Sequence, residues 1–124
     1  MFDKGLLAES IDTVIGRVRF DDSGLVPVIV QQWDSGRVLM VAWMDEAALR
    51  ETHESSRATY YSRSRARRWV KGETSGNVQD VRALHLDCDG DAVLLQVDQH
   101  GVACHTGELS CFDVEGSDGG AGGR

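Results

Sequence analysis

The stretch Pro27-Val28-Ile29-Val30-Gln31-Gln32-Trp33-Asp34-Ser35-Gly36-Arg37-Val38-Leu39-Met40-Val41-Ala42-Trp43 decides the fold class. Two runs rich in β-branched and aromatic residues flank Asp34-Ser35-Gly36, a turn sequence, so residues 27–33 and 37–43 read as a β-hairpin. The chain's one proline falls at the first position of the first strand, where a missing N–H is tolerated. Next, Asp45 fits as the N-cap of a helix from Glu46 to about His53, in which Ala47, Ala48 and Leu49 favour helix. Further strands read at 58–62, around Trp69-Val70, at 78–88 and at 92–99. The polar, glycine-containing segment 71–77 reads as a loop, Asp89-Gly90-Asp91 as a turn, and 103–112 as irregular. Residues before the hairpin have no decided shape, and no internal repeat is visible. The order strand–strand–helix–strand–strand–strand implies an α+β domain with few helices and a mostly antiparallel sheet.

With 124 residues, the chain is expected to form one domain over residues 1–113. A chain of this length buries roughly two-thirds of its unfolded surface, and 41% hydrophobic residues argue against disorder over most of it. The tail, 114–124, is expected to be disordered, because it holds five of the fourteen glycines and no large apolar residue after Val114. No apolar run approaches the ~18 residues of a membrane span. The start, MFDKGLLAES, carries Asp3 and Glu9 and has no long apolar core, so it does not read as a signal peptide. The expected location is the cytoplasm, with no membrane partner.

Thirteen basic residues face twenty acidic ones, a net charge of −7, and so acidic a chain repels nucleic acid. The charge is unevenly spread: residues 57–72 hold six bases and no acid. A basic segment in an acidic chain points to a small anionic ligand. A solvated loop or edge strand accounts for the same charges, and both readings stay open on charge alone.

Two stretches carry metal chemistry. In Leu86-Asp87-Cys88-Asp89-Gly90-Asp91, an extended strand would turn Asp87 and Asp89 to one side and Cys88 to the other, with Asp91 near the other two acids. Three carboxylates make a hard oxygen site of the kind that holds Mg²⁺ with water and phosphate, whereas a thiolate suits zinc. An acidic turn that is merely solvated is the alternative. An EF-hand is excluded, because the glycine falls at loop position four and Asp98 stands where a bidentate glutamate is needed. The second stretch, Cys104-His105-Thr106-Gly107-Glu108-Leu109-Ser110-Cys111, adds two thiols too widely spaced for a zinc knuckle or a redox C-x-x-C. Three cysteines match a catalytic zinc with three protein ligands and an open position, and His105 is a candidate fourth ligand or base. A zinc that only holds a small interaction module together is the non-enzymatic reading of the same residues.

Chain reach makes a further prediction. With Cys88 at a hairpin tip opposite about Val93, the strand to His100 runs away by roughly 23 Å at ~3.3 Å per residue. Four residues back to Cys104 recover at most ~14 Å, leaving a gap on the order of 10 Å against Zn–S bonds of ~2.3 Å. Cys88 is therefore expected to meet Cys104 and Cys111 of a second copy, in a homodimer with metal at its interface.

The segments Val38–Met44, Ala58–Arg65, Trp69–Asn77, Leu86–Asp91 and Ala103–Phe112 together resemble the phosphoribosyl-AMP cyclohydrolase family of histidine biosynthesis, over about residues 20–113. Val102 departs from the proline the family often has there, and Arg67-Arg68 is more basic than usual. The resemblance implies an intertwined homodimeric hydrolase that uses zinc and magnesium. It implies that zinc-activated water breaks the N1–C6 bond of the adenine ring of phosphoribosyl-AMP and so opens the purine. Carried onto this chain, the zinc ligands are Cys88 of one subunit with Cys104 and Cys111 of the other, and the magnesium ligands are Asp87, Asp89 and Asp91. His105 and Glu73 are the candidates for handling the proton that goes to N1. Arg63, Arg65, Lys71, Thr74 and Ser75 are the candidates for binding the substrate's two phosphates.

Overall fold

A computed structural model describes residues 2–104 and 107–113 of the chain. The 114–124 tail and His105 lie outside the described residues. The architecture is α+β: helix α1 (Ile11–Arg17), strands β1 (Leu25–Gln32) and β2 (Val38–Asp45), helix α2 (Glu46–Ser55), then strands β3 (Thr59–Ser62), β4 (Arg67–Val70), β5 (Gln79–Leu86) and β6 (Val93–Gln99). Short 3₁₀ turns lie at Leu6–Ala8 and Cys111–Asp113.

The expected hairpin forms, with Val26 opposite Met44 and Val28 opposite Ala42. Its first strand begins two residues earlier than expected, so Pro27 is internal. The ladder from β1 to its other neighbour, β6, starts at Val28, one residue after the proline. The main sheet has the order β2-β1-β6-β5. Its outer pairs are antiparallel, and its central pair, β1 with β6, is parallel. That parallel pairing cannot be read from local sequence, because it depends on where the β5–β6 hairpin docks. Strands β3 and β4 form a separate antiparallel ribbon.

Asp45 caps α2 as expected, its carboxylate accepting the Ala48 N–H at 2.8 Å. Inside the helix Thr52 is fully buried, and its hydroxyl both donates to the Thr59 carbonyl and accepts the Thr59 N–H, which fixes the start of β3. Helix α1 was not anticipated, although Ser10 is a good N-cap and accepts the Thr13 N–H. Buried Val14 of α1 and Ala48 and Leu49 of α2 join one face of the sheet (Val26, Val28, Val30, Met44, Leu95, Val97) in a single core. The opposite face is different. There Ile29 pairs across the ladders with Val41 and Leu94, and Ile29 and Val41 remain 40% and 53% exposed.

The tip of the β5–β6 hairpin corrects the facing argument. Strand β5 ends at Leu86, which pairs with Val93, so Cys88 is not in a strand and has no cross-strand partner there. The chain turns through Cys88 and Asp89, Gly90 has φ of +73°, and the Gly90 N–H closes the turn on the Asp87 carbonyl at 3.1 Å. Strand alternation stops where the extended backbone stops.

Candidate active site

The β5–β6 hairpin separates the chemically interesting groups into two clusters, one at each end. At the tip, the Asp87 carboxylate accepts the Asp91 N–H at 2.9 Å. A side-chain hydrogen bond with Asp91, together with backbone N–H donors, holds the Asp87 carboxyl below its ordinary pKa. The same bond, the charge of Asp87 and that of Asp89 push Asp91 above its own. Asp91 therefore feels both Asp87 and Asp89, and a divalent cation would relieve that repulsion. Cys88 is exposed and lines the same hollow of about 490 Å³ as Asp87 and Asp89. The tip is anchored from outside by the segment after α1, since the Arg19 N–H donates to the Gly90 carbonyl at 2.7 Å.

At the far end, Cys104 and Cys111 come together. The Cys104 N–H donates to the Glu108 carbonyl and the Ala103 N–H to that of Leu109, folding the segment back on itself. Buried Ser110 then fastens it to β2, its hydroxyl donating to the Val38 carbonyl at 2.7 Å. The Arg37–Asp113 ion pair holds the same turn. Desolvation, a hydrogen bond with Cys104 and the charge of that thiol push the Cys111 thiol up, and Lys71 pulls it partly back. Lys71 is itself buried beside the two sulfurs, and desolvation lowers its pKa against their pull. Both thiols and Lys71 line a cavity of about 500 Å³ with Trp69, Ser75 and Asn77.

A second cavity, about 610 Å³, adjoins this one. Arg65, Lys71, Thr74 and Ser75, four of the five expected phosphate contacts, line it together with Arg67 and Glu73. Arg63 goes elsewhere: its guanidinium lies 4.4 Å over the Trp43 ring and lines a third, more open hollow. Glu73 is exposed, and its carboxylate accepts the Val70 N–H at 3.1 Å, so it also shapes the loop.

The match of this chain to known sequences covers the same parts. The sequence pattern of phosphoribosyl-AMP cyclohydrolase matches residues 40–113. The chain belongs to this family. A phosphoribosyl-AMP cyclohydrolase of a Nocardioides species is 56% identical over 102 residues, covering 82% of this chain and 83% of that protein. That of Renibacterium salmoninarum is 60% identical over 97 residues (78% and 74%), and that of Thermobifida fusca 57% over 102 (82% and 88%). In this cyclohydrolase-family chain, then, the expected residues other than Arg63 and His105 gather in two places. Cys104, Cys111 and Lys71 meet with the basic loop at one end, and Cys88 stays with Asp87, Asp89 and Asp91 at the other. Among the described residues, no three His, Cys, Asp or Glu side chains converge in metal-binding geometry. Two sulfurs of one chain have donor chemistry that suits zinc. The carboxylate cluster has the donor chemistry for magnesium.

Residues that the sequence does not single out also build the thiol end of the hairpin. A fully buried pair, Tyr60 and Gln79, links by a 2.5 Å bond from the phenol to the amide oxygen, and burial keeps that phenol protonated by raising its pKa. Gln79 donates in turn to Gln99 at 2.7 Å. The Gln99 amide then donates to the carbonyls of Asn77 at 3.0 Å and His100 at 2.9 Å. One side chain thus ties the end of the basic loop to the segment that leads into Cys104.

Proposed function

We propose that this chain hydrolyses the N1–C6 bond of the adenine ring of phosphoribosyl-AMP, a step of histidine biosynthesis. One observation carries the reading beyond family membership. Trp69, Lys71 and Ser75 line both the basic cavity and the thiol cavity, so the basic hollow adjoins the sulfur pair. A ligand with an anionic group in the first places its next ring beside the second. Zinc held by three thiolates supplies Lewis acidity that makes water nucleophilic at neutral pH.

The residues of this chain bind and orient. Arg65, Lys71 and Thr74 offer guanidinium, ammonium and hydroxyl donors to phosphate, with Arg67 beside them. Arg63, which stacks on Trp43, is left at the margin of this group. Asp87, Asp89 and Asp91 would hold magnesium, which offsets further phosphate charge. Glu73 or His105 carries the proton to N1 as the C6–N1 bond breaks.

The zinc set requires a homodimer in this account: Cys88 of one copy joins Cys104 and Cys111 of another. Two features support it. Cys88 lies beyond one end of β6 and the Cys104–Cys111 pair beyond the other, and that seven-residue strand is itself roughly 20 Å long. The half-open apolar face at Ile29, Val41 and Leu94 is a surface that a second copy could cover.

The direct test is turnover of phosphoribosyl-AMP by the purified chain, with and without added zinc and magnesium. Opening of the purine that depends on zinc supports the reading, and no turnover under any metal condition refutes it. Glu73→Gln and His105→Ala separate the proton carriers: the carrier's variant loses about 100-fold or more in kcat. Near-parental kcat in both removes both from that role.

A further inference from the structure

The chain has three tryptophans, and two of them have a ring face taken by a cation. The Arg82 guanidinium lies 3.9 Å over Trp33, and that of Arg63 lies 4.4 Å over Trp43. Trp69 has a different neighbour. It pairs across the β3–β4 ladder with Tyr60, ring centroids 5.3 Å apart and planes at 50°. Tyr60 is fully buried and pinned by its bond to Gln79, so Trp69 is braced from the core side. Its remaining surface is half-exposed and borders all three hollows at this end of the molecule: the basic one, the one with the thiols and the open one beside Trp43.

We propose that Trp69 is the platform on which the purine ring of the substrate stacks. This rests on the function proposed above and adds the residue that aims the ring. A purine nucleotide has an anionic end and a flat aromatic body. With the anionic end among Arg65, Lys71 and Thr74, the flat body extends across the wall those residues share with the thiol cavity. Trp69 forms that wall. Stacking on a fixed indole holds the plane of the ring and leaves its edge, which carries N1 and C6, directed at Cys104 and Cys111. A ring substituted at N1 is also cationic when protonated, and an indole face attracts a cation most strongly of the aromatic side chains. The bracing by Tyr60 matters because a platform fixed before the ligand arrives loses little ordering entropy on binding.

The test is calorimetric titration of AMP and of ribose 5-phosphate, which lacks the base, into the full chain and its Trp69→Leu and Trp69→Phe variants. Loss of a base-stacking aromatic lowers affinity roughly 5- to 150-fold, so Trp69→Leu should lose AMP by that factor. It should hold ribose 5-phosphate within about twofold, and Trp69→Phe should stay close to the parent for both ligands. Equal AMP affinity in the parent and Trp69→Leu overturns the proposal, as does an equal loss of both ligands, which marks a structural role. A second measurement leaves Trp69 in place. In a Trp33→Phe, Trp43→Phe chain, AMP should quench the emission of the remaining indole while ribose 5-phosphate should not; an unchanged emission overturns the platform. Turnover by the parent is scored separately. A chain that binds AMP through Trp69 without opening phosphoribosyl-AMP keeps the platform and rejects the reaction.

Discussion

At the tip of the β5–β6 hairpin, residues 87–91 are held largely by their own backbone. At its other end, the segment with Cys104 and Cys111 also closes on its own backbone, but side chains tie it to distant parts of the chain. The tip closes with the Gly90 and Asp91 N–H groups bonding to Asp87, and its links to the rest of the fold include the Arg19 N–H on the Gly90 carbonyl. The sulfur end depends on Ser110 reaching β2, and on Gln99 and Gln79 joining the basic loop, the core tyrosine and the segment before Cys104. The difference has a consequence for robustness. A self-contained turn tolerates change elsewhere, whereas a site held by a shared amide network fails when any member is lost.

That contrast can be broken most severely at Gln99. Gln99→Leu removes the donor shared by several carbonyls and leaves the Gln79 amide N–H with only the weak Met40 sulfur as acceptor. The expected cost is about 1–3 kcal/mol in the urea-unfolding free energy, since buried polar groups lose partners. Zinc affinity, measured by chelator competition, should fall about 10- to 100-fold, as it does when the support behind a ligand is removed. Unchanged zinc affinity would show that the network does not position the sulfurs.

Gly90→Ala attacks the other end. The glycine has φ of +73°, and a Cβ there would stand 2.3 Å from the Arg17 carbonyl oxygen. Backbone strain plus that overlap should cost about 2 kcal/mol in thermal or urea unfolding. The Cys104–Cys111 end should keep its reactivity toward a thiol reagent. Equal disturbance of both ends would erase the distinction drawn here.

The smallest expected effect is at Asp91. Its carboxyl is held above its ordinary pKa, by the hydrogen bond with Asp87 first and by the charges of Asp87 and Asp89 after it. A raised folded-state pKa favours the folded chain in acid and loses that contribution as pH rises through it. Ionised Asp91 therefore burdens the metal-free protein at neutral pH. Asp91→Asn should raise the neutral-pH melting temperature slightly, and the gain should vanish as the pH falls below the ordinary aspartate range. A gain that persists in acid would assign the effect to something other than charge. Adding magnesium should reverse the order, favouring the parent.

Much of this organisation was legible in the sequence, and the legible parts share a property: they are local. The Asp34-Ser35-Gly36 turn, the Asp45 cap and the alternation of β1 and β2 each depend on a few neighbouring residues. At residues 87–91 the strand alternation that the sequence suggests is absent, and Asp87 meets Asp91 for another reason. A tight turn brings them together, and Cys88 shares a hollow with Asp87 and Asp89. Distance along the chain limited the rest. Nothing near Val28 says that Val93 will lie beside it in parallel, and nothing near Trp69 says that it will border the cysteines. Gln79 and Gln99 read as strand residues, because their roles exist only after β5 and β6 pair. Helix α1 does not stand out in the sequence for another reason: seven residues give too short a periodic pattern.

The claim on which the rest depends is that two chains complete one sulfur site, and mixing inactive variants tests it. Cys88→Ser and Cys104→Ser chains should each be inactive alone. Co-expressed in equal amounts and paired at random, half of the dimers carry one intact site of two, so turnover of phosphoribosyl-AMP should return to about a quarter of the parental value. No recovery in a mixture shown to contain mixed dimers would contradict the account, because each chain would then have to supply all three sulfurs itself.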